Sequence, residues 1–413
     1  MSWLITILYA AYLYIVLDQT KEEPLINGRI WASFIFPVIL LALLFLTNRL
    51  MELKIRRRDG FGYLMFGSLL LLFILNMFRA TSEMLVGAQL IAVLSVSFLL
   101  AAFIRRKDTF NLFVGVTYLE TAAYLLVQFF KAESPFEVYT QIGSIISEDR
   151  FRISFDFYQV NSAGNLSACV LVLSVFVFAA LIPQIKQIWL RVLMFAAVAA
   201  TDFLVLTCLL ATGSRNSLLS VFICLMVYIY YRISVSGKLT RTLRFWLRAL
   251  VLASFVLLLL TSVGEIVFKL FVSSKRMQNF TDNLPVLDSP LKWIFGIGTV
   301  GAGYFVNENY NIDNAYLYYL LTTGLVGMSL LIILLIWMGL RLRKRIFVAA
   351  KSGDPRLQVY IFTFAVLFSH IISGMGELCV LYYLIPSSTI FFTLYFAADM
   401  TPNTLRLRQE EAI

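Results

Sequence analysis

The chain has 413 residues, of which 60% are hydrophobic and only 14% charged. Soluble domains run at about 45–50% apolar and about 25% charged, so this composition excludes a water-soluble globular protein. The formal charge of +10 is distributed over short segments between apolar runs, which argues against a nucleic-acid-binding surface.

Apolar runs of near-membrane length recur from one end to the other. Each can cross a hydrocarbon core of about 30 Å as a helix, the form that satisfies its own backbone hydrogen bonds in lipid. The runs predict spans at 2–17, 30–47, 61–78, 84–104, 110–130, 161–183, 189–210, 216–232, 245–270, 313–340, 357–376 and 378–399. The expected fold is an all-α polytopic integral membrane protein of about twelve transmembrane helices. No soluble domain is expected, so 1–413 reads as a single transmembrane domain. The first run lacks a positive n-region and a small-residue cleavage site, so it is read as a retained span. No internal repeat or low-complexity tract is visible, and 9 Pro and 21 Gly are too few for a flexible linker. Cys169, Cys208, Cys224 and Cys379 lie in or beside apolar runs with no Cys-x-x-Cys. They read as reduced core residues rather than metal ligands.

Charge sets the expected orientation. With the N-terminus in the cytoplasm, the inner loops and tail hold 23 of the 34 Lys and Arg, and the bias alternates regularly along the chain. This follows the positive-inside rule and places both termini in the cytoplasm. Two outer segments are long, 131–160 and 271–312, and long connections tend to carry function. The active face is therefore expected outside, where there is no ATP. Chemistry there needs a substrate that brings its own leaving group.

Four outer stretches carry the chemistry. The first is Arg150-Phe151-Arg152 followed by Asn161-Ser162-Ala163-Gly164-Asn165, with Asn161 placed like a helix N-cap and an anion-attracting helix start behind it. The second is the clip Ala211-Thr212-Gly213-Ser214-Arg215-Asn216-Ser217. An outward arginine there offers phosphate oxygens a fork of donors, with interfacial anchoring as the plain alternative. The third runs from Lys275-Arg276 to Gly296-Ile297-Gly298, and Gly301 completes a G-x-G-x-x-G spacing. A dinucleotide site is rejected because no βαβ unit surrounds it. Exposed backbone N–H groups could hold an anion, or these are ordinary loop glycines. The fourth gathers Tyr304, Tyr310, Tyr316, Tyr318 and Tyr319 near Asn307, Asn309, Asn311 and Asn314. Aromatic faces with amide donors suit sugar rings, and they also suit a membrane interface. Asp313 opens the tenth span as a cap or as a base. Ionisable residues inside spans are costly and mark function by default, which singles out Glu120, Asp202, His370 and Glu377.

Taken together, these stretches resemble the O-antigen polymerase and ligase family of bacterial membrane glycosyltransferases. The matching features are Arg152 with Asn161, Ser214-Arg215, Gly296-Ile297-Gly298, Asp313-Asn314 and Gly324-Leu325-Val326-Gly327. They span 150–330. Ligases of the family carry a histidine where Asp313 stands, and Val160 replaces a proline before Asn161. The departure favours a polymerase. The resemblance implies a GT-C-like helical architecture and glycosyl transfer between undecaprenyl-diphosphate-linked oligosaccharides, as in O-antigen, capsule or exopolysaccharide assembly. It implies the outer face of the bacterial cytoplasmic membrane and no cofactor. A flippase and a chain-length regulator would be its partners. Arg215 would clamp the diphosphate, helped by Arg276 and Arg152. Asp313 would be the general base, with Glu377 and His370 as rivals. Asn161, Ser214, Asn314, Tyr304 and Tyr316 would line the substrate site. No metal-binding motif appears. A ligase and a polysaccharide or lipid transporter are the alternative readings.

Overall fold

A computed structural model describes residues 2–19, 30–47, 60–79, 84–104, 107–141, 152–157, 160–237, 239–260, 282–300, 314–375, 380 and 386–400. No strand occurs among them. The helices are α1 (Ser2–Gln19), α2 (Ile30–Leu46), α3 (Gly60–Met77), α4 (Met84–Ile104), α5 (Lys107–Lys131), α6 (Val160–Phe176), α7 (Ile188–Ala211), α8 (Arg215–Ser234), α9 (Arg241–Leu260), the short α10 (Pro290–Phe295), α11 (Ala315–Ser352), α12 (Leu357–Ser373) and α13 (Pro386–Met400). A π turn over Val177–Leu181 and a 3-10 turn over Ile182–Gln184 prolong α6. Pro183 ends it, because proline cannot donate a helical hydrogen bond.

Each expected apolar segment carries a helix. Among the described residues, six helices are long and apolar enough to cross a membrane: Met84–Ile104, Asp108–Lys131, Val160–Gln184, Ile188–Ala211, Arg215–Ser234 and Ala315–Ser352. This is the composition and architecture of a helical membrane protein. Outward-facing side chains agree with it. On α7, Trp189, Leu193 and Phe195 are 56% to 63% exposed, an apolar surface that water would not tolerate at this extent.

The core forms around helices that are apolar on every side, the pattern of a helix buried all round. In α6 every residue from Ala163 to Phe176 is buried. α4 is similarly enclosed and packs along α13 and α2. Polar pairs between helices join the packing, as between Tyr9 of α1 and Thr117 of α5, whose hydroxyls lie 3.1 Å apart.

The ends of α8, α11 and α12 sort into two groups. At one end Tyr228 donates to Gln358 at 2.9 Å, and Arg341 and Arg345 converge on Asp399 at 2.8 and 3.1 Å. The Asp399 side chain is only 3% exposed and closes α13 against the basic extension of α11. Asp399→Asn would leave two guanidiniums facing a neutral amide. The expected loss is about 3 kcal/mol, the low end for breaking a buried pair, because the arginines keep some solvent. Thermal melting in detergent measures it.

Candidate functional site

At the opposite end, the turn between α7 and α8 is built by its own residues. Gly213 takes φ 60°, where a side chain would be strained. Thr212 Oγ1 donates to Leu209 O at 2.7 Å and accepts from Ser214 N at 3.3 Å. Ser214 Oγ donates to Ser217 Oγ at 2.9 Å, which donates to Asn165 Oδ1 at 3.2 Å. A Cβ on Gly164 would stand 2.6 Å from Ser214 Cβ. That close approach seats the start of α6 on the turn. Arg215 is the first residue of α8 and is half-buried.

Arg152 joins the same turn. Its Nε donates to Thr212 O at 3.2 Å, and its Nη2 donates to Asn161 Oδ1 at 2.6 Å. Ile153 N donates to Ala211 O at 2.9 Å. The arginine thus sits on the final carbonyls of α7, the end of a helix that favours a cation. The segment is anchored by Phe155 and Phe157, both buried, with Phe155 stacked on Phe129 at 6.0 Å. Phe155 and Asp156 both have positive φ, 52° and 62°. Two successive non-glycine residues in that region store strain, which the aromatic anchors hold in place.

α12 ends at this junction, and its orphan carbonyls are taken by two other helices. Asn216 Nδ2 donates to Ser373 O at 2.7 Å. Tyr316 Oη donates to Ile371 O at 2.9 Å, Asn314 Nδ2 to Met375 O at 2.8 Å, and Ala315 N to Gly374 O at 3.0 Å. Asn314 also caps α11, accepting from Leu317 N at 3.0 Å. The starts of α8 and α11 therefore gather around one helix end, and the start of α6 sits on the adjoining α7–α8 turn. Three helix N-termini meet the C-termini of α7 and α12 here, so the helix ends leave an excess of one N-terminus in favour of an anion. Asn216→Asp would turn an acceptor toward the Ser373 carbonyl. We expect a lowered melting temperature, from a loss of about 1–3 kcal/mol for the broken buried bond.

The Gly-x-Gly segment lies deeper. Inside α11, Gly324 takes φ 67° and ψ −168° and breaks the helix. The carbonyls this frees accept from the segment itself: Ile297 N donates to Leu321 O at 2.8 Å and Gly298 N to Thr322 O at 3.0 Å. Arg79 Nη1 closes the other side, donating to Phe295 O at 2.9 Å and to Gly296 O. Residues 296–300 are all buried, and Tyr318 Oη donates to Val300 O at 2.8 Å. Irregular backbone is tolerated in this setting because protein surrounds it and satisfies it.

The geometry corrects several expectations. Asn161 does not cap α6: the helix begins at Val160, and the Asn161 amide oxygen accepts from Arg152 instead. Ser214 is 3% exposed and donates its hydroxyl to Ser217. Asn314 and Tyr316 spend their polar atoms pinning α11 to α12 and serve as scaffold. The N–H groups of Ile297 and Gly298 hold α11 and are not offered to an anion. His370 is 2% exposed and enclosed edge-on by Phe391 and Phe392 of α13, at 4.8 and 5.7 Å. A general base must reach the hydroxyl it deprotonates, and this imidazole is walled off. Asp313, Glu377, Arg276 and Tyr304 lie outside the described residues. Arg152 and Arg215 flank the same turn.

Arg79, Asn165 and Asn216 took no part in the expected site. Asn165 and Asn216 stood inside the quoted motifs, and only docking against Ser217 and Ser373 reveals their work. Among the described residues no group of three His, Cys, Asp or Glu is placed to hold a metal ion. In comparisons with known proteins, no family model matches the chain and no curated protein matches it.

Proposed function

We propose that the protein is a membrane glycosyltransferase that polymerises undecaprenyl-diphosphate-linked oligosaccharide repeat units on the outer face of the bacterial cytoplasmic membrane. The observation that carries the reading is the junction itself. Arg152 and Arg215 stand on one turn where α6, α8 and α11 begin, so two cations and three helix N-termini share one end of the bundle. That setting suits a diphosphate leaving group, which needs electrostatic stabilisation as charge builds on it. In this reading twelve helices cross the bilayer in a GT-C-like arrangement and the junction faces outward.

The hydroxyl oxygen of the acceptor sugar forms a bond to the anomeric carbon of the donor. The bond from that carbon to the lipid diphosphate breaks, and its electron pair leaves on the phosphate oxygen between the arginines. The acceptor's proton passes to a carboxylate, for which Asp313 is the first candidate and Glu377 the second.

One observation favours a different class. Broken helices are a mark of transporters, and α11 is broken at Gly324. Here the break is filled by the chain's own Gly296–Gly298 backbone, which leaves no freed carbonyl of Leu321 or Thr322 for a substrate. The test is glycan chain length in a host lacking the gene, with and without the wild-type copy. A ladder lost and restored, while single repeat units still reach their final acceptor, supports polymerase action. Full-length polymer stranded on its lipid carrier would identify a ligase. Repeat units held at the cytoplasmic face would identify a transporter.

A further inference from the structure

α9 stands at the margin of the bundle, with α8 as its main neighbour. Leu243, Phe245, Trp246, Leu250, Leu252 and Val256 are 46% to 64% exposed. Its first turns carry Arg241, Arg244 and Arg248, a spacing of three and four that sets them on one side of the helix. Leu243, Trp246 and Leu250 occupy the other side. Arg232, in the last turn of α8, adds a fourth cation at the same end.

Among the described residues these charges lack acidic company. No Asp or Glu occurs between Asp202 and Glu265. Two carboxylates at this end of the bundle are already held: Asp354 by Arg356, and Asp399 by Arg341 and Arg345. Among the described residues none of Arg232, Arg241, Arg244 and Arg248 has a carboxylate partner. Arg248 Nε turns to the Arg244 carbonyl at 3.1 Å. Arg244 Nε is buried with no acceptor, which leaves the two Nη groups as its donors toward the surface.

We propose that the Arg241–Arg244–Arg248 stripe binds the phosphate of an anionic phospholipid, whose acyl chains lie along Phe245, Leu252 and Val256, exposed residues on the arginine side of the helix. Guanidinium donors match phosphate oxygens in geometry and charge. Tryptophan at a headgroup-level helix end and a basic stripe against an apolar one are the features of a helix seated at a charged interface. The site rests on the chain's membrane placement and not on glycosyl transfer, so failure of the polymerase reading leaves it standing.

The test uses the full-length protein in detergent, with phosphatidylglycerol or phosphatidylcholine added. Native mass spectrometry counts retained lipid, and thermal melting reads stabilisation. Phosphatidylglycerol is expected to stay bound and raise Tm, and phosphatidylcholine to do neither. Each single Arg→Gln change is expected to weaken phosphatidylglycerol binding about fivefold, the weight of one cation near an anionic surface. The triple Gln variant should lose the preference and the triple Lys variant keep it. Equal binding of the two lipids by the wild type overturns the proposal. So does a preference unchanged in the Gln variants. Displacement of the lipid by millimolar inorganic phosphate would mark a small-anion site and overturn the lipid assignment. If the triple Gln variant does not fold, the single variants decide.

Discussion

Cells carrying Arg215→Ala in place of the wild-type chain are expected to lose the surface-glycan ladder, with polymerisation down about 10²–10³-fold, the usual cost of removing one preorganised donor from a developing negative charge. The position of Arg215 sharpens the expectation. It is the first residue of α8, and a cation at a helix N-terminus sits at the wrong end of the macrodipole. By that term alone its removal stabilises α8 by about 0.3–1 kcal/mol. That term therefore does not lower Tm, and the expected loss is in turnover. Arg152 makes the contrast, since it lies on the final carbonyls of α7, where a cation is favourable. Arg152→Gln should lower Tm as well as turnover. Arg215→Lys keeps the charge and loses the fork, which should cost about tenfold to a hundredfold, the range of a charge-assisted hydrogen bond. Near-normal ladders from Arg215→Lys would remove the clamp. A steep fall in Tm for Arg215→Ala would make the residue structural.

The helices were legible because lipid imposes one strong rule on the sequence. Hydropathy placed α4 at 84–104 and α7 within a residue of its ends. It failed where a helix leaves the apolar zone. α11 runs on to Ser352 through Arg341, Arg343, Lys344 and Arg345, good helix formers that hydropathy reads as loop. α9 likewise begins at Arg241, before its apolar run. In the junction, Arg152, Asn161 and the 211–215 turn could be brought to one side because each flanks a helix end. Which polar atoms remain for a ligand could not be read. That depends on which orphan carbonyls docking leaves, and Ile371, Ser373 and Met375 claim Tyr316, Asn216 and Asn314. His370 looked like a functional ionisable group until Phe391 and Phe392, twenty residues on, enclosed it.

The break in α11 left no trace in hydropathy, yet the junction depends on it. Gly324→Ala and Gly296→Ala are expected to destabilise the protein more than any other Gly→Ala change at a positive-φ glycine of a described helix. At both glycines φ is near 70° and ψ near 180° (67°, −168° and 71°, −172°), a region in effect reserved for glycine, at a cost of about 1–3 kcal/mol for any side chain. Space is also lacking. A Cβ on Gly324 would stand 2.4 Å from Ile294 O, and one on Gly296 2.3 Å from Thr322 C and O. These are backbone atoms, which cannot rotate away, so overpacking adds about 1–3 kcal/mol more. Gly353, which ends α11 at φ 66°, is the control: a Cβ there meets nothing within 4 Å. Gly353→Ala should cost only the left-handed penalty of about 1–2 kcal/mol. Thermal melts of the three variants should rank them in that order. The Gly296→Ala/Gly324→Ala double variant should lose little more than the worse single change, because both break one clasp. Turnover should fall with stability, since the same clasp holds residues 315–323, through which Asn314 and Tyr316 pin α11 to the end of α12. If Gly324→Ala melted like Gly353→Ala, the 296–298 segment would not hold the break, and the freed carbonyls of Leu321 and Thr322 would again be open to a substrate, as the transporter reading requires.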